Sequence, residues 1–223
     1  ITETTNATIK NNATGETREE VIDPFTNYNV LVLDQQFNQN STISLLNTNV
    51  TRDGKFRDAN VTALKWHIET KDSKYNADGS VRMSNISDDI YNPNTGYTFD
   101  NDFGILFSNN QQTIYNSIGW RTLQPTKTLN YSNFNFYQQL NYQHYSGVYT
   151  GYNAGFNYNA QTKNRFSYGG NLNYGTQEKD FFEPRQGSTS GIYFLQPERR
   201  NANFYISTNS QNKFELNIDG YYT

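Results

Sequence analysis

The feature that most constrains this chain is a period-two alternation that recurs through its second half. From Asn133 to Gln143 one parity reads Phe134, Phe136, Gln138, Leu140 and Tyr142, and the other Asn133, Asn135, Tyr137, Gln139 and Asn141. From Val148 to Tyr158, Val148, Thr150, Tyr152, Ala154, Phe156 and Tyr158 alternate with Tyr149, Gly151, Asn153, Gly155 and Asn157. Phe166, Tyr168, Gly170, Leu172 and Tyr174 then alternate with Ser167, Gly169, Asn171 and Asn173, and Phe214, Leu216 and Ile218 with Lys213, Glu215, Asn217 and Asp219. Successive side chains of a strand point to opposite faces, so these segments specify strands with one apolar and one polar face. No helix-period segment of useful length competes.

Noisier strands are expected over 28–36, 42–51, 61–70, 81–90, 97–107 and 112–122, with one more short strand within 191–196. Asp53-Gly54 and Asp78-Gly79 are read as tight turns that supply positive-φ positions. The total is about twelve strands, an even number as bacterial membrane barrels have. Links over 37–40, 109–111, 144–146 and 210–212 are short, and those over 52–60, 91–96, 123–130 and 159–164 are longer. That is the expected alternation of short turns and long loops in a barrel set in an outer membrane.

Composition decides between a soluble sandwich and such a barrel. Only 34% of the 223 residues are hydrophobic, whereas 18 Tyr and 15 Phe bring aromatics to 16%. A soluble core of ordinary density is hard to fill from so little, against the usual share of about 45–50%. A barrel needs less, because about half of each strand faces a polar interior. Tyr28, Phe134, Tyr142, Tyr158, Phe166, Tyr174 and Tyr222 are expected at strand ends, at headgroup depth.

Other classes fall away. No apolar run approaches the ~18 residues of a membrane-spanning helix. With 18 Lys+Arg against 21 Asp+Glu and a pI near 5.4, no basic surface for nucleic acid is expected. A net charge of -3 with so many aromatics does not fit charge-driven disorder. The absence of Cys excludes disulfides, thiolate metal sites and a Cys nucleophile.

Acidic clusters at Asp88-Asp89, Asp100/Asp102 and Asp180/Glu183 are the candidates for a glycosidase-like carboxylate pair. Arg185 after Glu183, and Arg199-Arg200 after Glu198, make paired charges inside a barrel or in a loop the plainer reading. The acidic loops lack the D-x-[DN]-x-[DN]-G spacing of an EF-hand, although a loop could still hold a cation. His67 and His144 are isolated in sequence and are expected as an in-facing polar residue and an interfacial one. No G-x-S-x-G or phosphate-loop motif occurs. No catalytic, cofactor-binding or metal residues are therefore expected. Seven N-x-[ST] sequons, at Asn6, Asn12, Asn40, Asn49, Asn60, Asn85 and Asn130, carry little information in so Asn-, Ser- and Thr-rich a chain.

Three segments carry a resemblance: Phe37 to Arg52, Asp100 to Phe107, and Asp180 to Arg185. They resemble an uncharacterised family of Bacteroidota outer-membrane proteins in which a carbohydrate-binding-like β-sandwich precedes a large C-terminal β-barrel. The resemblance implies a barrel segment, brings no catalytic motif, and implies a role in an outer-membrane assembly or transport system.

The expectation is thus an all-β protein, an antiparallel transmembrane β-barrel or a large fragment of one. Residues 1–27 form a lead-in or loop, and 28–223 form barrel strands that are incomplete relative to a longer precursor. The expected location is the bacterial cell outer membrane, with the lipid bilayer, other outer-membrane proteins or lipoproteins and a glycan as partners. The function is expected to be non-enzymatic. A surface carbohydrate-binding or uptake protein, using Trp120 and external loops, and a membrane-associated hydrolase are the alternatives.

Overall fold

The computed structural model describes residues 1–54, 56–87, 111–144, 146–181, 191–209, 211 and 213–223. The described residues are all β, with strands making up 71% and no helix. A first hairpin pairs β1 (Thr5–Lys10) with β2 (Thr17–Asp23). Ten strands then form one antiparallel sheet. In chain order they are β3 (Thr26–Phe37), β4 (Ser41–Arg52), β5 (Asp58–Glu69), β6 (Tyr75–Ser87), β7 (Gln111–Arg121), β8 (Leu129–Gln143), β9 (Tyr149–Thr162) and β10 (Ser167–Gly175). After a small hairpin of β11 (Glu178–Asp180) and β12 (Phe194–Gln196), β13 (Arg199–Ser207) and β14 (Asn217–Tyr222) complete it.

The sheet is a meander in which every strand pairs with its sequence neighbour, apart from the β11–β12 excursion between β10 and β13. Strands β3 to β9 are 11 to 15 residues long, against a common length of about 5–6. Among the described residues the sheet is open: β3 and β14 are its edges, and they do not pair with each other. It is also a single layer. Among the described residues its strands make their substantial contacts with ladder neighbours alone, apart from β11 against β9. The chain accordingly exposes 15244 Å², where a globular monomer of 25.8 kDa would expose about 10,500 Å².

Several sequence expectations are corrected. Residues 1–27, expected as a lead-in or loop, hold the β1–β2 hairpin, closed by Gly15 at φ 75 and by an Asn11 side chain that accepts from the Ala13 N–H at 2.9 Å. Its strands are exposed almost throughout, so no buried face imposes an alternation that could be read. Asp78-Gly79 is no turn either. Both residues lie within β6, and the reversal falls at 70–74, where Ser73 takes φ 53. Gly79 is needed for another reason, since it pairs with Trp66 and an added Cβ would stand 2.7 Å from the indole Nε1.

The expected strand at 97–107 lies outside the described residues. Because β6 and β7 pair directly, no strand stands between them in the sheet. The alternation of links shifts accordingly: the links over 122–128 and 163–166 fall at the same end as 38–40, not with the link over 53–57. The short strand expected within 191–196 is present as β12, but it pairs with β11 outside the large sheet. Strand β13 is an addition that the sequence pattern did not name.

Candidate functional site

Cross-strand partners share a face, so the register divides the large sheet into two surfaces. On one face the aliphatic row Leu33, Leu45, Leu64, Val81, Ile114, Leu140 and Tyr152 crosses β3 to β9 through direct pairs. Nearer the opposite strand ends, the aromatic row Tyr75, Trp120, Phe134 and Tyr158 crosses β6 to β9. Phe134 and Phe156 meet edge to face, with centroids 5.0 Å apart. Asn116 and Gln138 form a neutral polar step within this face. Its charged residues are only Asp58 and Arg200, each in the first two residues of its strand.

The second face holds the other charged and titratable residues of the sheet: Asp34, Arg52, Lys65, His67, Glu69, Asp78, Arg82, Arg121, Arg199 and Asp219. Several gather where β5, β6 and β7 meet. His67 Nδ1 lies 2.5 Å from Asp78 Oδ1, and its Nε2 lies 3.3 Å from Glu69 Oε2. Asn76 donates to the second Asp78 oxygen at 2.6 Å. Arg121 pairs with Glu69 and donates from Nε to the Ser73 carbonyl at 2.8 Å. His67 is thus on the polar face as expected but is not isolated. The signal was available in the hairpin register, which sets it opposite Asp78.

Across β8, β9, β10 and β13 the same face becomes neutral apart from Arg199 at the start of β13. Asn135, Asn157, Asn171 and Asn203 stand directly side by side. Two tyrosines span three strands each. Tyr137 passes over Gly155 and donates to Asn173 Oδ1 at 2.9 Å, and Tyr205 passes over Gly169 and donates to Asn159 Oδ1 at 3.0 Å. In both cases the glycine is the direct cross-strand partner of the tyrosine and of the asparagine. A Cβ on Gly155 would stand 2.5 Å from Asn173 Oδ1, and one on Gly169 2.7 Å from Asn159 Oδ1. These partners, 36 and 46 residues apart, could be found only from register.

At one rim β11 reaches this polar face. Glu178 packs on Gly151, which pairs with Asn141, and binds Arg199 at 2.9 Å. Arg200 binds Glu198 at 2.5 Å, so these charges are paired as the sequence suggested. Asp180 lies in β11, whereas Glu183 and Arg185, like Asp88-Asp89 and Asp100/Asp102, lie outside the described residues. His144 sits in the β8–β9 link. Trp120 lies in β7, within the strand expected over 112–122, and belongs to the aromatic row of the apolar face. Among the described residues no three His, Asp or Glu side chains are grouped as a metal site.

The whole length of the chain matches one protein family, over residues 1–100 and 98–223, described as a domain of unknown function, DUF5916. The chain belongs to this family. No curated protein and no solved structure matches it. For this DUF5916 chain, the two-faced sheet is therefore the main physical evidence of function.

Proposed function

We propose that the chain forms wall of an integral outer-membrane β-barrel, with the apolar face toward lipid and the Asn-, Gly- and Tyr-rich face toward a polar interior. One observation carries the reading: a ten-stranded, single-layer sheet keeps charge off one entire face, except at strand ends, and among the described residues nothing covers that face. Leu31, Leu33, Ile118, Leu172 and Phe204 are each about half exposed there. A soluble sheet buries such a face against a second layer, and exposed apolar patches on soluble monomers rarely exceed a few hundred Å². Hydrocarbon solves the problem directly. A tilted strand crosses a bilayer in about 9–11 residues, and most strands of the sheet meet that length.

The role follows from the lining. A surface of amides, hydroxyls and glycines suits passage or binding of polar solutes, or docking of a polar plug, and nothing in it requires catalysis. Together with the resemblance to Bacteroidota outer-membrane proteins, this supports a non-enzymatic component of an outer-membrane assembly or transport system. Fractionation tests the reading. The protein should appear in the outer-membrane fraction, need detergent for extraction and change gel mobility on heating, whereas a chain monomeric in buffer without detergent would refute it.

A further inference from the structure

Two cations on the polar face stand without an anion. Lys65 is the direct partner of Ser80, and Arg82 lies two residues along from Ser80, opposite Ala63. The two are therefore diagonal neighbours across β5 and β6, about 7–8 Å apart at the backbone. Every other arginine of the large sheet is engaged: Arg121 by Glu69, Arg199 by Glu178, Arg200 by Glu198, and Arg52 by the Arg57 carbonyl. Among the described residues neither Lys65 nor Arg82 has an acidic partner.

Ser80, beside both, is the second observation. It is 3% exposed, and its Oγ has no hydrogen-bond partner, although buried hydroxyls ordinarily have one. Its side chain points to the same face as the two cations. Ser44 and Tyr115 continue the Lys65–Ser80 row, and Thr113 pairs with Arg82. The carboxylates on this part of the face are placed elsewhere. Asp78 is taken by His67 and Asn76, and Asp34 is separated from Lys65 by β4.

We propose that Lys65, Arg82 and Ser80 form a binding site for an oxyanion, the phosphate or carboxylate group of a small polar solute. The Arg82 guanidinium offers a two-pronged donor that matches two oxygens of such a group, and Lys65 adds a compact charge. The Ser80 hydroxyl, buried and unpartnered beside them, becomes the third donor as the bound group displaces the side chains that cover it. Lys65 and Arg82 are both exposed and so accessible from the polar side.

The site is tested with inorganic phosphate titrated calorimetrically into the full chain in detergent, with an acetate titration in parallel. Saturable binding is expected, and it should weaken as salt rises. Lys65→Gln with Arg82→Gln should weaken it by about tenfold or more, as for loss of hydrogen bonds to a charged group. Ser80→Ala should weaken it several-fold, with circular dichroism unchanged in all variants. Binding of phosphate over acetate would assign the site to phosphate, and the reverse to carboxylate. No saturable binding of either anion by the folded wild type, or undiminished binding by the double variant, overturns the proposal. A chain that binds phosphate while remaining monomeric without detergent would refute the membrane reading and leave the site standing.

Discussion

On β8, β9 and β10 the two faces differ in kind: Asn, Gly, Ser and Tyr stand on one, and Phe, Leu and Tyr on the other. On β3, β4 and β5 they differ much less, because the otherwise polar face there carries Val30, Val32, Leu46, Val50, Val61 and Ala63. The other face changes too, since over β3 to β5 it carries Asn29, Asn47, Asn49, Asn60 and Thr62 beside its leucines, but in both regions it is free of charge away from the strand ends. The difference teaches that the two surfaces are under unequal constraint. A surface against hydrocarbon must exclude charge everywhere, whereas a surface against water or polypeptide tolerates valine, asparagine or arginine according to local need.

The largest test of that inequality is a pair of neighbours. Leu172→Arg on the apolar face should destabilise the protein in a bilayer by about 2–4 kcal/mol, as for a cation at the bilayer midplane. Asn171→Arg on the polar face should change it little. Urea unfolding in lipid vesicles measures both, and equal small effects would remove the distinction between the faces. Next, Gly155→Val would drive Tyr137 off its slot and should cost about 1–3 kcal/mol by overpacking, read as a lower unfolding midpoint. Tyr137→Phe keeps the ring and removes only the bond to Asn173, so about 0.5–1.5 kcal/mol is expected in the same assay.

The N-terminal region should respond more quietly on its polar side. Val32 is 51% exposed there, so Val32→Asn should stay within about 0.5 kcal/mol of wild type. A loss of several times that would mean that the valine patch is packed against something in the assembled protein. The smallest effect concerns the exposed 70–74 turn, where the Thr70 hydroxyl and the Lys74 N–H donate to Asp72 and hold its carboxyl below the usual value. Because the folded value is the lower one, this contribution is present above the unfolded carboxylate range and fades as pH falls through the folded value. Proton titration by NMR should place Asp72 below a free carboxylate, and Thr70→Val should move it back up.

The contrast between regions also explains what could be read from the sequence. In β8 to β10 a face-by-face alternation is written into the chain, and those strands could be placed from it. In β3 the run Val30-Leu31-Val32-Leu33 is apolar on both parities, so it marks a strand but not its faces. Strand β13 opens with Arg199-Arg200-Asn201-Ala202-Asn203, in which charge on both parities hides the pattern until Phe204. Asp78-Gly79 misleads because a glycine beside an aspartate signals a turn, while here the glycine answers to Trp66 on the neighbouring strand. The polar-face contacts were illegible for the same reason: Tyr137 and Asn173 are neighbours only once three strands are in register.

Those bridging tyrosines have a consequence for clearance. A tyrosine standing upright on the inner wall of a barrel would reach toward the axis, and a ring of them would close the passage. Laid across a glycine and tied at its hydroxyl to the next strand but one, the same side chain becomes a facing on the wall. In the proposed barrel, bulk that would have narrowed the bore instead braces three strands against shear.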